Sequence, residues 1–259
     1  MEPVLLRSTK GFAAFVTLNR PAVRNALNAE LIGALTFTFN ELAMDAAVRA
    51  IVLSGEGGVF CGGADITWMR DSLDLSFEEN VADATAMSDM FRAIDRCPKP
   101  VIAKIQGAAL GGGAGLAAVC DIVVAAADAL FGFTEVKLGI IPAVISPFVL
   151  AKIGASNARA LFLTGERFDA RRAQTIGLVH EVVVADTLDV AIERVLDEIA
   201  SVGPDAAAAA KALIHEVRAA GYDDSRSLTA QAIAKQRTSP EGQEGLRAFL
   251  ERRKASWIA

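Results

Sequence analysis

Short β-branched runs and longer segments of helical spacing alternate along the first part of the chain. Apolar runs at Val4–Leu6 and Phe12–Asn19 predict two strands joined by a turn. Asn28 predicts the cap of a helix from Ala29 to about Met44, because apolar residues recur there at helical spacing. The run Ala50–Leu53 predicts a buried strand. The chain therefore opens with a β-β-α-β arrangement.

Strands and helices continue to alternate as far as residue 186. A helical pattern from Glu78 to Arg96 follows a polar connector at residues 71–77, which we expect to be exposed. From Thr187 onward the pattern is helical throughout. We therefore expect an α/β core over residues 1–186 and a C-terminal helical region over residues 187–259. The other predicted strands are Val101–Ile105, Ile122–Ala126, Ala129–Phe133 and Val179–Val184, and the other predicted helices are Ala114–Cys120, Ser146–Ile153, Ser156–Leu163, Ala170–Ile176, Asp224–Arg237 and Pro240–Lys254.

The stretch Pro100–Asp121 is the main candidate for a functional site in this sequence. It joins a predicted strand to a run of four glycines within residues 111–115, and then to a short helix. Glycine lets backbone N–H groups approach a ligand closely because no Cβ stands in the way. At a helix start those N–H groups lack intrahelical acceptors and lie at the positive end of the helix dipole. The stretch therefore predicts a site for a phosphate or for a developing oxyanion.

Two interpretations of this stretch compete. Gly113, Gly115 and Ala118 fit the G-x-G-x-x-A form of the dinucleotide-binding fingerprint, with acidic residues downstream. However, a βαβ crossover takes roughly ten or more residues, and the predicted helix here is shorter. An oxyanion site needs a second loop, and residues 57–66 supply a glycine-rich one. We therefore favour the oxyanion site over a Rossmann-type dehydrogenase.

Composition narrows the class of protein. The 259 residues are 53% hydrophobic and 22% charged, which supports a substantial core and excludes disorder. The formal charge of −5 argues against a nucleic-acid partner. The most apolar window, residues 108–127, is interrupted by glycines and by Asp121, so we expect buried core there and no membrane span. Since the amino terminus carries no signal or transit pattern, we expect a cytoplasmic protein.

The three cysteines, Cys61, Cys97 and Cys120, are widely separated. Their odd number and spacing suggest neither a disulfide framework nor a zinc site, so we expect no metal and a reducing compartment. Cys61 lies in the second glycine-rich loop, but no histidine is near it in sequence. We interpret Cys61 as a small filler of the core and not as a nucleophile.

Five segments together resemble the enoyl-CoA hydratase/isomerase, or crotonase, superfamily. They occur in that family's order and cover nearly the whole chain, and the joint match is highly specific. The resemblance implies a spiral of β-β-α turns, and a helical tail that packs against neighbouring subunits in a homotrimer or a dimer of trimers. The segments are NRPAVRNALN (19–28), VFCGGADI (59–66), IQGAALGGGAGLAAVCDI (105–122), FGFTEVKLGIIP (131–142) and LTGERFDARRAQTIGLV (163–179).

The same resemblance implies an acyl-CoA thioester substrate and no separate cofactor. The backbone N–H groups of Ala64 and Gly112 would form an oxyanion hole, and Glu135 would act as general acid and base. Hydratases of the family commonly have another glutamate where this chain has Gly115. The segments IIPAVISPFV and SPEGQEGLRAFLERRK look like a bacterial subgroup that acts on branched or carboxylated enoyl-CoAs such as methylglutaconyl-CoA.

Further residues are expected to bind the substrate. Arg24 is the candidate for a contact to a CoA phosphate, while Phe249 and Lys254 could reach a CoA bound in this subunit or an adjacent one. The complete expected set is Arg24, Gly62, Ala64, Asp65, Ile66, Trp68, Gly111, Gly112, Gly115, Pro142, Phe249 and Lys254.

The single expected glutamate leaves alternatives open. Isomerases of the family, which move the double bond, generally rely on one glutamate, so Gly115 favours that activity as well. A non-catalytic CoA-ester-binding scaffold is a third possibility, against which Glu135 argues. One carboxylate can both deprotonate water and return the proton, so we favour a hydratase.

Overall fold

Two β-sheets organise the fold of this computed structural model, which describes residues 2–258. The strands are β1 (Leu5–Lys10), β2 (Ala13–Leu18), β3 (Ala50–Gly55), β4 (Val101–Ile105), β5 (Ala108–Leu110), β6 (Ile122–Ala126), β7 (Leu130–Gly132), β8 (Arg167–Asp169) and β9 (Glu181–Val183). The helices are α1 (Ala29–Met44), α2 (Ile66–Asp71), α3 (Phe77–Asp95), α4 (Gly112–Val119), α5 (Ser146–Thr164), α6 (Ala170–Thr175), α7 (Leu188–Ala200), α8 (Pro204–Ala219), α9 (Tyr222–Thr238) and α10 (Pro240–Leu250).

The larger sheet has six strands in the order β1-β2-β3-β4-β6-β9. Only the β1–β2 pair is antiparallel, and the other four pairs are parallel. Strands β3, β4 and β6 are almost entirely buried, which explains why their sequences are mostly apolar and do not alternate with polar residues. Helix α1 covers one face of this core with Leu31, Leu35 and Phe39, and Asn28 caps it by accepting a hydrogen bond from the Leu31 N–H at 3.0 Å.

The smaller sheet positions the functional residues. It consists of β5, β7 and β8, in which β5 and β7 are parallel and β8 is antiparallel to β7. The register pairs Leu110 with Gly132, the last residues of β5 and β7. Parallel strands end at the same edge of a sheet. The chain segments that follow β5 and β7 therefore begin side by side.

The C-terminal helices differ in how they pack. Helix α7 lies on the larger sheet and buries Leu188, Ala191 and Ile192 there. By contrast, α8 and α9 contain no fully buried residue, and α10 buries only Ala248. A salt bridge of 2.6 Å between Lys211 Nζ and Asp121 Oδ2 ties α8 to the core. The core boundary at residue 186 stays a prediction.

Several predicted element boundaries were wrong. Strand β1 runs on to Lys10, and the chain turns at Gly11, which has a φ of +59°. The three-residue strands β5 and β8 and the short helix α2 were not predicted. The last helix ends at Leu250, not at Lys254. No helix in the part of the chain that the structure describes is long and apolar enough to cross a membrane.

Candidate active site

A cavity of about 410 Å³ opens between the two glycine-rich loops, helices α2 and α3, and the segment that follows β7. Most of its lining is apolar. The lining residues are Gly62, Gly63, Ala64, Trp68, Met69, Ser72, Asn80, Asp83, Ala84, Met87, Gly111, Gly112, Thr134, Glu135, Leu138, Ile140, Ile141, Pro142, Ala143, Val144 and Ile145.

Backbone hydrogen bonds hold the two glycine-rich loops together. The Cys61 N–H donates to the Ala108 carbonyl at 3.0 Å, and the Leu110 N–H donates to the Cys61 carbonyl at 3.1 Å. Gly63 has a φ of +104°, and a Cβ built on it would lie 3.1 Å from the Leu110 carbonyl oxygen. Only glycine combines this left-handed backbone with so close an approach.

The N–H group of Ala64 is left unpaired by this arrangement. The Leu27 N–H donates to the Gly63 carbonyl at 2.7 Å, and the Asp65 N–H donates to the Leu27 carbonyl at 2.9 Å. In such a parallel bridge, the N–H and carbonyl of Ala64 itself point away from Leu27. The Ala64 N–H has no acceptor within residues 2–258. It is therefore available to a ligand in the cavity that Ala64 lines.

Gly112 supplies the second unpaired donor as the first residue of α4. The preceding Gly111 has a φ of +50° and a ψ of −119°, and its N–H donates to the Gly132 carbonyl at 2.8 Å. The Gly112 N–H is one of the donors that a helix start leaves without a partner. A Cβ built on Gly112 would lie 2.8 Å from Leu27 Cδ1 and 2.9 Å from Met87 Cε. A side chain here would therefore have to displace the ends of the Leu27 and Met87 side chains.

Glu135 lies against this helix start. Its Oε1 atom is 3.3 Å from the point that a Cβ would occupy on Gly111. Its Oε2 atom is buried and has no hydrogen-bond partner among the described residues. Burial raises the pKa of the Glu135 carboxyl above its ordinary value, and contact with its own backbone N–H opposes this only in part. A partly desolvated carboxylate with one unpaired oxygen is suited to proton transfer.

The position of Gly115 has no space for a second carboxylate. A Cβ built on Gly115 would overlap Ile145 Cγ2 and would lie 3.0 Å from Phe91 Cζ. Both side chains are buried in the main core. Where hydratases of the family commonly have a second glutamate, this chain thus has a glycine, and buried core side chains occupy the space around it.

Residues 9–259 match the family model described as Enoyl-CoA hydratase/isomerase. The chain belongs to this family. A crotonyl-CoA hydratase from Syntrophomonas wolfei is 35% identical over 260 residues, covering 100% of this chain and 98% of the relative. The solved structure of AtuE from Pseudomonas aeruginosa has a TM-score of 0.95 at 38% identity and covers 99% of this chain and 100% of its own. An enoyl-CoA hydratase from Mycobacterium smegmatis has a TM-score of 0.95 at 33% identity, with both chains fully covered. These matches confirm the resemblance to the hydratase/isomerase family and the α/β crotonase-like fold with a helical C-terminal region.

Within this hydratase/isomerase fold, the structure brings together seven of the residues expected from sequence. They are Gly62, Ala64, Trp68, Gly111, Gly112, Glu135 and Pro142, all of which line the cavity.

Five other expected residues lie elsewhere. Arg24 packs beside the cavity, since its Cβ lies 3.1 Å from the point that a Cβ would occupy on Gly62. Ile66 is 75% exposed at the start of α2. Gly115 is buried beneath the cavity wall. Phe249 in α10 and Lys254 beyond it are both exposed and do not line the cavity in the single chain.

Asp65, also expected to bind substrate, supports the glycine-rich loop of residues 57–66. Its carboxylate pairs with Arg20 at 2.7 Å and caps α2 by accepting a hydrogen bond from the Thr67 N–H at 2.8 Å. Burial alone would raise the pKa of Asp65, but the bonds from Arg20 and Thr67 outweigh burial, and the pKa lies below its ordinary value. Asp65 thus stays ionised and fixes the backbone next to Ala64.

Sequence reasoning missed other residues that shape or line the cavity. The buried Asn25 amide donates to the Glu56 carbonyl at 2.9 Å and to the Val59 carbonyl at 2.7 Å, which anchors the glycine-rich loop of residues 57–66. Asp83 and Asn80 line the cavity from α3. The spacing of Asn80, Asp83 and Met87 on a single helical face was the available signal that α3 forms one wall of the cavity.

Cys61 and His180 are placed where structural roles account for them. Cys61 is fully buried, and burial raises the pKa of its thiol to about 12, so it holds no thiolate at neutral pH. His180 Nδ1 accepts a hydrogen bond from the Val123 N–H at 2.9 Å. The described residues contain no cluster of three or more acidic, histidine or cysteine side chains that could hold a metal ion.

Proposed function

We propose that this protein is an enoyl-CoA hydratase, which adds water across the double bond between carbons 2 and 3 of an acyl-CoA thioester. The observation that carries the proposal is the half-buried carboxylate of Glu135 beside the Gly111–Gly112 turn, with its buried Oε2 atom left without a hydrogen-bond partner among the described residues. Family membership supports it. So do the names of two relatives, the crotonyl-CoA hydratase of Syntrophomonas wolfei and a short-chain-enoyl-CoA hydratase of Clostridium acetobutylicum.

In the proposed reaction the thioester oxygen accepts hydrogen bonds from the N–H groups of Ala64 and Gly112. Ionised Glu135 takes a proton from water, whose oxygen bonds to carbon 3. The double-bond electrons shift toward the thioester and form an enolate, which the two N–H groups stabilise by about 3–4 kcal/mol each. Protonated Glu135 then returns the proton to carbon 2. The product is a 3-hydroxyacyl-CoA, and Glu135 is ionised again.

The raised pKa of Glu135 suits both halves of this cycle. A carboxylate of ordinary pKa is a weak base toward water, and desolvation makes it a stronger one. Because the same group must later donate the proton, one carboxyl can serve where both transfers occur on one face of the double bond. The lack of space for a second glutamate at Gly115 is therefore compatible with hydration.

The CoA part of the substrate is polyanionic and needs cations at the cavity mouth. Arg24, beside Gly62, is the candidate for a phosphate contact in the same chain. Phe249 and Lys254 would contact a CoA in this or an adjacent subunit of a trimer or a dimer of trimers. No cofactor besides the substrate's own CoA is needed for this chemistry.

The acyl group is proposed to be branched. Residues 140–145 of the segment that resembles the branched-substrate subgroup line the cavity, and their side chains are mainly aliphatic. A branched hydrocarbon portion, as in methylglutaconyl-CoA, would pack against these side chains.

A 3,2-enoyl-CoA isomerase is the second candidate. The overlap that a side chain at Gly115 would make with Ile145 favours it, because an isomerase needs only one carboxylate. In that reaction Glu135 would remove a proton from carbon 2 of a 3-enoyl-CoA and return it to carbon 4.

The deciding experiment incubates the purified protein separately with crotonyl-CoA and 3-hexenoyl-CoA and identifies the products by chromatography with mass detection. We expect crotonyl-CoA to gain the mass of one water. Conversion of 3-hexenoyl-CoA to its 2-enoyl isomer, without hydration of either thioester, would establish the isomerase. Tight binding of both thioesters without turnover would indicate a non-catalytic CoA-ester-binding scaffold.

A further inference from the structure

One wall of the active-site cavity is a single face of α3. Asn80, Asp83, Ala84 and Met87 line the cavity at helical spacing. At the inner end of this wall, Met87 Cε lies 2.9 Å from the point that a Cβ would occupy on Gly112. Asp83 precedes Met87 by one turn, about 6 Å along the helix axis. The wall therefore leads from the proposed oxyanion hole to the Asp83 carboxylate.

Asp83 is the unpaired polar group of this wall. The Ser72 hydroxyl donates to the Met69 carbonyl at 2.8 Å, and the Asn80 amide donates to the Leu75 carbonyl at 3.1 Å. Both side chains thus have partners within the protein. Asp83 makes no side-chain hydrogen bond or salt bridge with any residue in the range 2–258.

No cation among the described lining residues faces Asp83 across the cavity. The described lining contains two acidic residues, Asp83 and Glu135, and no lysine, arginine or histidine. Like charges repel strongly in a partly desolvated space, because water screens them poorly there. A carboxylate on the acyl chain would face the half-buried Asp83 carboxylate and would find no counter-ion in the described lining.

We propose that Asp83 makes the cavity selective for enoyl-CoA thioesters with uncharged acyl chains and disfavours acyl chains that carry a carboxylate. This inference rests on the proposed function, which it refines. Of the two substrate types suggested by the segment IIPAVISPFV, it selects the branched hydrocarbon and rejects the carboxylated one. Methylglutaconyl-CoA is then a poor substrate, and its branched, uncharged counterparts are good ones.

The test compares crotonyl-CoA with glutaconyl-CoA, which is crotonyl-CoA with a carboxylate on carbon 4. For the wild type, we expect kcat/KM to favour crotonyl-CoA by roughly tenfold or more. Asp83→Asn keeps the size of the side chain and removes its charge, so it should lower this ratio by about tenfold. Asp83→Lys should lower the ratio further. Asp83→Ala provides a second neutral variant if the asparagine variant does not fold.

Glu78→Gln is the matched control, because it removes a charge from the same helix at an exposed position outside the cavity. It should leave the ratio unchanged. A ratio in Asp83→Asn within twofold of the wild type would overturn the inference. Equal gains for both thioesters would also overturn it, because they would place Asp83 beside the CoA portion.

A binding experiment separates this inference from the proposed function. Calorimetry with butyryl-CoA and glutaryl-CoA, which differ by one carboxylate and cannot be hydrated, measures selection by charge without turnover. In one outcome the wild type prefers butyryl-CoA and Asp83→Asn removes this preference, while no enoyl-CoA is hydrated. That result would uphold the charge selection and contradict the hydratase. Hydration of crotonyl-CoA together with equal binding of butyryl-CoA and glutaryl-CoA would uphold the hydratase and contradict the charge selection.

Discussion

Glu135 and Gly111 lie in contact, with Glu135 Oε1 3.3 Å from the point that a Cβ would occupy on Gly111. The contact follows from topology, because the parallel strands β5 and β7 end together at the Leu110–Gly132 pair. The Gly111 N–H bonds to the Gly132 carbonyl at 2.8 Å and fixes the two chain segments to each other. The proposed proton-transfer group and the proposed oxyanion donor of Gly112 therefore belong to one rigid unit.

Restoring the family's second glutamate with Gly115→Glu should impair both folding and turnover, since Ile145 and Phe91 occupy the space. Even Gly115→Ala should cost about 1–3 kcal/mol of unfolding free energy through overpacking. Denaturant unfolding measures this cost. The double variant Gly115→Ala with Ile145→Ala should lose less stability than the two single changes summed. Full additivity would show that the two positions are not in contact.

Gly112→Pro should lower kcat by roughly 10²–10³, because proline removes the proposed oxyanion donor. Gly112→Ala is the control, since it makes the same close approach to Leu27 and Met87 but keeps the N–H group. Circular dichroism must first show that both variants are folded. Equal activity of the folded proline and alanine variants would remove Gly112 from the oxyanion hole.

The pH dependence of kcat/KM should report the raised pKa of Glu135. Glu135 must be ionised to accept a proton from water, so activity should fall as the pH drops through a pKa above the ordinary 4.5. Initial rates with crotonyl-CoA across an acidic pH series measure this limb. An acidic limb at or below the ordinary carboxyl range would contradict the assigned environment.

The same shift predicts that Glu135→Gln stabilises the protein at neutral pH. A carboxyl whose pKa is higher in the folded state favours folding below its unfolded pKa, and this advantage is lost as the pH rises through the folded pKa. Glutamine stays neutral, so the variant should have a higher Tm than the wild type at pH 7. The difference should shrink in acid. An unchanged or lower Tm at pH 7 would contradict a desolvated carboxylate.

The sequence was sufficient to predict the elements that carry strong local patterns, such as α1 with its Asn28 cap and the continuous apolar strands of the large sheet. It did not reveal β5, because three residues between glycine-rich turns hold too little pattern, and their strand conformation comes from pairing with β7. For the same reason, β1 was assigned too short. Its residues from Arg7 to Lys10 are exposed and polar, and pairing with β2 makes them a strand.

Sequence motifs pointed to the cavity-lining residues that lie within them, and they missed the lining residues that only tertiary packing brings there. Glu135 and Gly112 lie within family segments and line the cavity. Asp83 lies on a largely exposed helix whose polar residues resemble an ordinary solvated face, and only the folded chain shows which of them meet the cavity. Phe249 and Lys254 lie outside the single-chain cavity, so their expected contact with CoA stays a prediction.

Self-association is expected from the helical tail, because α8 and α9 bury no residue and several large apolar side chains of the tail face solvent. Ile214 is 62% exposed, Phe249 80% and Leu250 78%. Apolar surface of this extent is typical of a protein interface. Light scattering at micromolar concentration should give the mass of three or six chains. The mass of one chain would contradict this prediction.

Turnover by Glu135→Gln tests the central claim most directly. Glutamine keeps the size of the side chain but cannot accept a proton from water, so kcat with crotonyl-CoA should fall by roughly 10²–10⁴ while the Kd for butyryl-CoA stays near the wild-type value. The matched variant Glu78→Gln, at an exposed position of α3, should keep full activity. Near-normal turnover in folded Glu135→Gln would show that another group transfers the proton and would contradict the mechanism.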